Sequence, residues 1–240
     1  MRFSVWLEKR DDSHFLFGIP DGLEDWHHLH DIKQLFIKYR SASRCIMIEG
    51  TTSRNTFQIT AFIHSDTEFG GMSKISGPLI HSIADTLDMS LVEELTIQET
   101  AYHRPPLTFT RDAWTHLLEK MPLLKKLHIR WGRTSNGGCC REILSALTTP
   151  HIDTGALLCP VLERFTLRYD KSWSSLQFHR LAQERSSRKQ PLKWLSVRSS
   201  HYQDVENIED TDLDMLREVV EIVDLEPPLI ESAVFPTVEW

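Results

Sequence analysis

One short arrangement of apolar positions recurs four times, and it constrains the architecture more than any other feature of the chain. The pattern is apolar, two residues, apolar, one residue, apolar. It is spelled Val92-Glu93-Glu94-Leu95-Thr96-Ile97, Leu124-Lys125-Lys126-Leu127-His128-Ile129, Leu162-Glu163-Arg164-Phe165-Thr166-Leu167 and Leu192-Lys193-Trp194-Leu195-Ser196-Val197. Successive copies begin 32, 38 and 30 residues apart, a period typical of stacked repeat architectures. Each copy ends in strict alternation, which buries one face of a short strand. Each also follows a segment of helical spacing: Leu79, Ile80, Ile83 and Leu87; then Trp114, Leu117, Leu118 and Met121; then Ile143, Leu144 and Leu147; then a weaker set, Leu176, Leu181 and Ala182. Thr110 is expected to cap the second of these helices and Met121-Pro122 to end it.

A unit of helix, tight turn and strand cannot cover its own apolar face, so copies must stack, strands beside strands and helices beside helices. The expected fold class is therefore α/β, as a leucine-rich-repeat solenoid with a curved parallel sheet inside and helices outside. Spacing alone leaves open an ordinary α/β domain whose strands share a pattern. A single domain is expected over residues 1–240, with irregular N-terminal units over 1–78, clear repeats over 79–198 and an acidic capping segment over 199–240.

Outside the repeats the signals are less regular. Phe3, Val5 and Leu7 alternate, as do Phe15, Phe17 and Ile19, which predicts a hairpin or two short strands. Ile32, Leu35, Phe36 and Tyr39 stand at i, i+3, i+4 and i+7 and predict a helix, followed by a strand about Cys45 to Ile48. Phe57, Ile59, Ala61 and Ile63 form another alternating segment. Leu213, Leu216, Val220 and Val223 fit a helix, while Val219 to Leu225 reads equally as a strand. Loops are expected over 68–77, 132–138 and 148–160, the last lengthening one repeat offset to 38.

Four places in the chain resemble the leucine-rich-repeat region of the F-box-like proteins of mushroom-forming fungi. Val5-Trp6-Leu7-Glu8-Lys9-Arg10 with Phe15-Leu16-Phe17 resembles that family's "WLERSG…PL.L" strand pair. Tyr39-Arg40-Ser41-Ala42-Ser43-Arg44-Cys45-Ile46-Met47-Ile48 resembles its "RWRSLxL" segment, with Cys45 and Ile46 in place of the usual Leu. Leu158-Cys159-Pro160-Val161-Leu162-Glu163-Arg164-Phe165-Thr166-Leu167 is similar to its "LCPxLExLxL" repeat, and Gln190-Pro191-Leu192-Lys193-Trp194-Leu195-Ser196-Val197 to the "APLxxLxV" repeat that follows. The resemblance implies a substrate-receptor role in an SCF-type ubiquitin ligase. The F-box itself, marked in the family by an "LPPEIL"-like segment, has no counterpart in residues 1–40. The Skp adaptor is therefore expected as a partner only if an F-box lies outside this chain.

Composition narrows the function classes. The 240 residues are 40% hydrophobic and 25% charged, enough to build a core and unlike a disordered chain. No apolar run exceeds four residues, against about 20 for a spanning helix, and Met1-Arg2-Phe3 opens no signal-peptide core. No membrane association is expected. Cys45, Cys139, Cys140 and Cys159 are too few for a disulfide scaffold, and no Asn-x-Ser/Thr sequon occurs. A cytoplasmic and/or nuclear protein with reduced thiols is expected. Residues 204–226 hold ten acids against Arg217, so the net charge of -7 conceals a remainder of +2. No nucleic-acid partner is expected from that balance.

In a leucine-rich strand the residues between the buried apolar positions line the concave face. Those positions hold Glu94, Thr96 and Gln98; Lys126, His128 and Arg130; Arg164, Thr166 and Arg168; Trp194, Ser196 and Arg198. Arg130, Arg168 and Arg198 then form a ladder of like charges, unfavourable unless solvated or matched by an acidic partner. Trp131 and Tyr169 are expected beside it. The expected function is a non-catalytic protein-protein interaction module that binds an acidic or phosphorylated partner segment through Lys126, His128, Arg130, Arg164, Arg168, Trp194 and Arg198. Pairing of these cations with the chain's own acidic stretch is the opposing reading. An enzyme on an irregular α/β fold is the further alternative, recognisable by a deep polar pocket with converging titratable groups.

Other motifs point to no catalysis, cofactor or metal. His27-His28-Leu29-His30 puts His27 and His30 on one helix side with no further ligands nearby. His64-Ser65-Asp66 is too close in sequence to converge as a triad. Gly70-Gly71 and Gly137-Gly138 lack phosphate-loop spacing. Cys139-Cys140 is expected at a helix start as two small residues, where the helix dipole would otherwise lower a thiol pKa.

Overall fold

Alternation decides the strands. Leu95 and Ile97, Leu127 and Ile129, Phe165 and Leu167, and Leu195 and Val197 are all buried, and the positions between them form the opposite face. The computed structural model describes residues 2–7, 31–40, 45–63, 80, 81, 83–100, 109–130, 138–151, 155–169, 175–199 and 210–226. In chain order these form β1 (Arg2–Leu7), β2 (Ile32–Arg40), β3 (Cys45–Thr52), β4 (Thr56–Ile63), α1 (helical residues 80, 81 and 83–86), β5 (Glu94–Thr100), α2 (Arg111–Glu119), β6 (Lys126–Arg130), α3 (Gly138–Thr148), β7 (Arg164–Tyr169), α4 (Ser175–Ser187), β8 (Trp194–Ser199), α5 (Asp210–Arg217) and β9 (Ile222–Glu226).

The protein is mixed α/β with one nine-stranded sheet, in the order β1-β4-β3-β2-β5-β6-β7-β8-β9. From β2 through β9 the order is a run of parallel pairs, each new strand joining on the same side of the last. The run after β5 is the expected helix-and-strand repeat: α2, α3, α4 and α5 each connect one strand to the next and pack against each other in sequence. At the other end β2, β3 and β4 form an antiparallel meander. Gly50 of β3 lies opposite Phe57, whose ring fills the space that a Cβ at position 50 would occupy.

The strand-entry turns are tied by backbone hydrogen bonds at every step, and the Glu93, Lys125 and Glu163 carbonyls also accept from the next N–H along, of Lys126, Arg164 and Trp194. The N–H groups of Glu93, Lys125, Glu163, Lys193 and Ile222 donate to the carbonyls of Lys33, Glu93, Lys125, Glu163 and Lys193 at 2.8, 2.8, 2.9, 2.8 and 2.9 Å. The side chains there alternate in sign. Glu93 binds Lys125 at 2.9 Å and lies 4.0 Å from Lys33, and Glu163 binds Lys193 at 2.6 Å. Donation from Lys125 and Lys193 holds both carboxyls below their ordinary range. Such exposed pairs add little stability, yet a one-strand slip would set like charges side by side, so they favour the observed stacking order.

A single apolar cluster fills the space between sheet and helices. Trp114, Leu117, Leu118 and Met121 are fully buried as expected, and Thr110 caps α2 by accepting from the Ala113 N–H at 3.2 Å. The inward stripe of α4 differs in part from its expectation: Leu181 and Ala182 are buried as expected, but Leu176 is 65% exposed and Phe178 and Arg185 complete the inward face. Arg185 is fully buried. Its guanidinium donates to the carbonyls of Leu158 at 3.1 Å, Cys159 at 2.8 Å and Leu162 at 3.5 Å. These carbonyls belong to the turn before β7, where Cys159 has a left-handed φ of 49°. Burial pushes the Arg185 pKa down to about 10 and the Cys159 thiol up to about 12.

One further expectation is corrected. Ile32 to Tyr39 is the strand β2, not a helix. A register shift between Ile32 and Gln34 puts Ile32 on the same side as Leu35, Ile37 and Tyr39, so a bulge produces the spacing of three that reads as helical. The N-terminal strand pairs parallel with β4; residues 15–19, its expected hairpin partner, lie outside the described residues. Residues 210–226 of the acidic stretch hold both a helix and a strand, α5 followed by β9. His27, His28, His30, His64, Trp131 and the loop 68–77 also fall outside the described residues.

Candidate partner-binding face

The sheet face opposite the helices carries three side chains per strand, and parallel pairing aligns them into rows that cross the strands. The row at the strand entries reads Gln34, Glu94, Lys126, Arg164, Trp194 and Ile222. The middle row reads Phe36, Thr96, His128, Thr166, Ser196 and Asp224. The exit row reads Lys38, Gln98, Arg130, Arg168, Arg198 and Glu226. The seven candidate residues therefore fall on the three adjacent strands β6, β7 and β8, and Arg130, Arg168 and Arg198 stand in register as expected.

The cations of the two outer rows are used differently. At the strand entries Lys126 donates to Glu94 at 3.1 Å, and the Arg164 guanidinium stacks 5.3 Å from the centre of the Trp194 ring. Glu94 also accepts from Gln34 at 3.5 Å and lies 3.8 Å from His128. In the exit row neither Arg130 nor Arg168 has a carboxylate partner among the described residues. Of Arg198 only the backbone register is described.

His128 is set among these charges. Burial lowers its pKa; Glu94 opposes the shift, and Arg130, Lys126 and Arg164 reinforce it. A His whose folded pKa lies below its unfolded value contributes stability that is present above the unfolded pKa and is lost as pH falls through the folded one. We expect the protein to lose stability as pH falls below the ordinary histidine value of about 6.5, and His128→Gln to lessen that loss in urea titrations at successively lower pH. Equal losses in both proteins would show that His128 is not responsible.

Three features of this face are not legible in the sequence: one pairing and two residues. Glu94 neutralises Lys126, which only strand adjacency reveals. Asp224 extends the middle row and accepts from the Ser196 hydroxyl at 3.4 Å. Ile222, in register with Trp194, is 44% exposed. The last two were hidden because Val219 to Leu225 satisfies both helical and strand periods. The described part of the acidic stretch, residues 210–226, supplies a helix to the outer layer and a final strand to the sheet.

On the helical side a groove of about 390 Å³ lies between α3 and α4, lined by Arg141, Ser145, Thr148, Gln177, Arg180 and Glu184 among others. Glu184 is engaged by Arg188 at 2.7 Å and the Thr148 hydroxyl donates to the Leu144 carbonyl at 2.6 Å. The groove brings together two cations and several hydroxyls. Cys45 and Cys159 are buried, the Cys159 thiol donating to the Leu118 carbonyl at 3.7 Å, and Cys139-Cys140 fall in the first turn of α3. Among the described residues no group of three His, Cys, Asp or Glu side chains is placed to hold a metal ion. No helix among them is long and apolar enough to cross a membrane. Compared with protein-family models, curated proteins and solved structures, the chain matches none.

Proposed function

We propose that the chain is a leucine-rich-repeat solenoid and a non-catalytic interaction module whose open strand face binds an acidic or phosphorylated segment of a partner protein. The observation that supports this most is the in-register exit row, in which Arg130 and Arg168 stand on adjacent strands without carboxylate partners among the described residues and Arg198 takes the next position. Adjacent strands lie about 4.8 Å apart. Like charges at that spacing destabilise the free protein, and an acidic ligand converts the penalty into affinity through forked guanidinium donation.

The test pairs a binding readout with a stability readout. Affinity capture compared by quantitative mass spectrometry between the native chain and the triple variant Arg130→Ala, Arg168→Ala, Arg198→Ala should show specific partners lost from the variant, with acidic or phosphorylated segments among them. Arg168→Gln, which removes the central charge, should raise stability in urea by about 0.2–1 kcal/mol. Capture that is unchanged in the triple variant overturns the proposal.

A further inference from the structure

We infer that the ligand of this face is an amphipathic helix lying across the strands, with three acidic side chains at i, i+4 and i+7. The inference rests on the proposed use of the exit row and concerns the shape of what that row binds. Its basis is the relief of the three rows. The middle row is low where it crosses β7 and β8: Thr166 is half-buried and Ser196 is 3% exposed. On one side stand Arg164 and Trp194, on the other Arg168 and the position of Arg198. The outer rows are four residues apart along each strand, about 13 Å at the strand rise. The result is a shallow trough that runs perpendicular to the strands, with a hydroxyl floor over β7 and β8 and the half-buried His128 at β6; its outer rows are about 13 Å apart from Cα to Cα, so an α-helix about 10–12 Å across rests along their side chains.

Spacing along the trough selects among acidic ligands. Arg130, Arg168 and Arg198 span two strand intervals, about 9.6 Å. Acids at i and i+7 of a helix are about 10.5 Å apart, a misfit of roughly 1 Å that flexible arginine side chains can absorb. An extended segment places alternate side chains about 6.6 Å apart, so its i and i+4 residues are about 13 Å apart. It would fall out of step by roughly 3.6 Å over the same three strands.

The ends of the row limit the ligand's length. Glu226 follows Arg198 in register and Gln98 precedes Arg130, so a fourth acid would meet a carboxylate position at one end and a neutral amide at the other. The opposite wall adds a second selection. Lys126 is already paired with Glu94 and Arg164 already stacked on Trp194, while the neighbouring Ile222 is 44% exposed. That flank favours an apolar residue on the ligand, beside the acid that meets the Arg198 position.

Three labelled synthetic peptides distinguish the outcomes by fluorescence anisotropy with the full chain. The first is Ala-rich and helical, with Glu at i, i+4 and i+7 and Leu on the adjoining flank. The second has the same composition and helicity but Glu at i, i+2 and i+5, which scatters the charge around the helix. The third is extended, with Glu at i, i+2 and i+4. The striped helix should bind at least tenfold tighter than either control, and the triple variant Arg130→Gln, Arg168→Gln, Arg198→Gln should remove that advantage. Arg168→Glu should weaken the striped helix and restore binding to a version with Lys at i+4, a gain that misfolding could not produce. Equal binding of the two helices, or tighter binding of the extended peptide, overturns the helical ligand while dependence on the three arginines upholds the anionic-ligand reading. Binding that is indifferent to all three arginines overturns both.

Discussion

Arg185→Ala is expected to lower the unfolding free energy by about 3–5 kcal/mol, read as a reduced urea midpoint with an unchanged slope. Two opposing effects meet at this side chain. Burial of a guanidinium without a carboxylate is unfavourable, as the fall of its pKa to about 10 indicates. Against that, its amino groups donate to three carbonyls of the turn entering β7; the Cys159 carbonyl keeps the Leu162 N–H at 3.0 Å without it, and a buried acceptor left alone costs about 1–3 kcal/mol. The left-handed Cys159 needs support of this kind, because an L-residue with a side chain disfavours that conformation. Arg185→Met separates the effects, since it keeps most of the volume while removing both donors and charge. If hydrogen bonding to the turn dominates, the methionine variant loses about 1–3 kcal/mol. If desolvation dominates, it is as stable as the native protein or more so, and the assignment of Arg185 as the clamp on this turn is wrong.

Trp114→Ala should cost about 3–5 kcal/mol. The indole is fully buried in the helical layer and meets the Phe109 ring edge-on, with centroids 5.2 Å apart. It stands on α2, which connects β5 to β6 and packs on α3, so a cavity there weakens a link in the middle of the parallel run. Local unfolding followed by hydrogen exchange should show β5 and β6 losing protection before β3 and β4, whose pairing is an antiparallel meander. A loss below about 1 kcal/mol, or uniform loss of protection, would mean that the layer collapses around the missing ring.

The parallel strands were legible because each has two apolar residues at i and i+2 preceded by a third at i-3, a pattern with one strand reading. The helical stripes were legible where several large apolar residues line up, as in α2. In α4 hydropathy points to Leu176 and assigns no inward role to an arginine; the three carbonyls around residue 185 make that position suitable for one. At β2 a bulge changed which residues share a face, and a period of two with one insertion reads like a period of 3.6. In the C-terminal stretch both periods were satisfied at once, and the helix and strand that form divide it between them.

The local pattern of this chain determined which residues form the repeated strands, which of their faces is buried, and that Arg130, Arg168 and Arg198 occupy equivalent positions, because side-chain alternation and repeat spacing depend only on neighbours along the chain. Tertiary structure alone decided the rest. Strand adjacency set Glu94 beside Lys126, alternated Glu and Lys along the entry turns, put Ile222 beside Trp194 and gave Arg185 its three carbonyls. Each of these contacts joins residues more than 20 positions apart, and their energies depend on distance in space rather than on order in the chain.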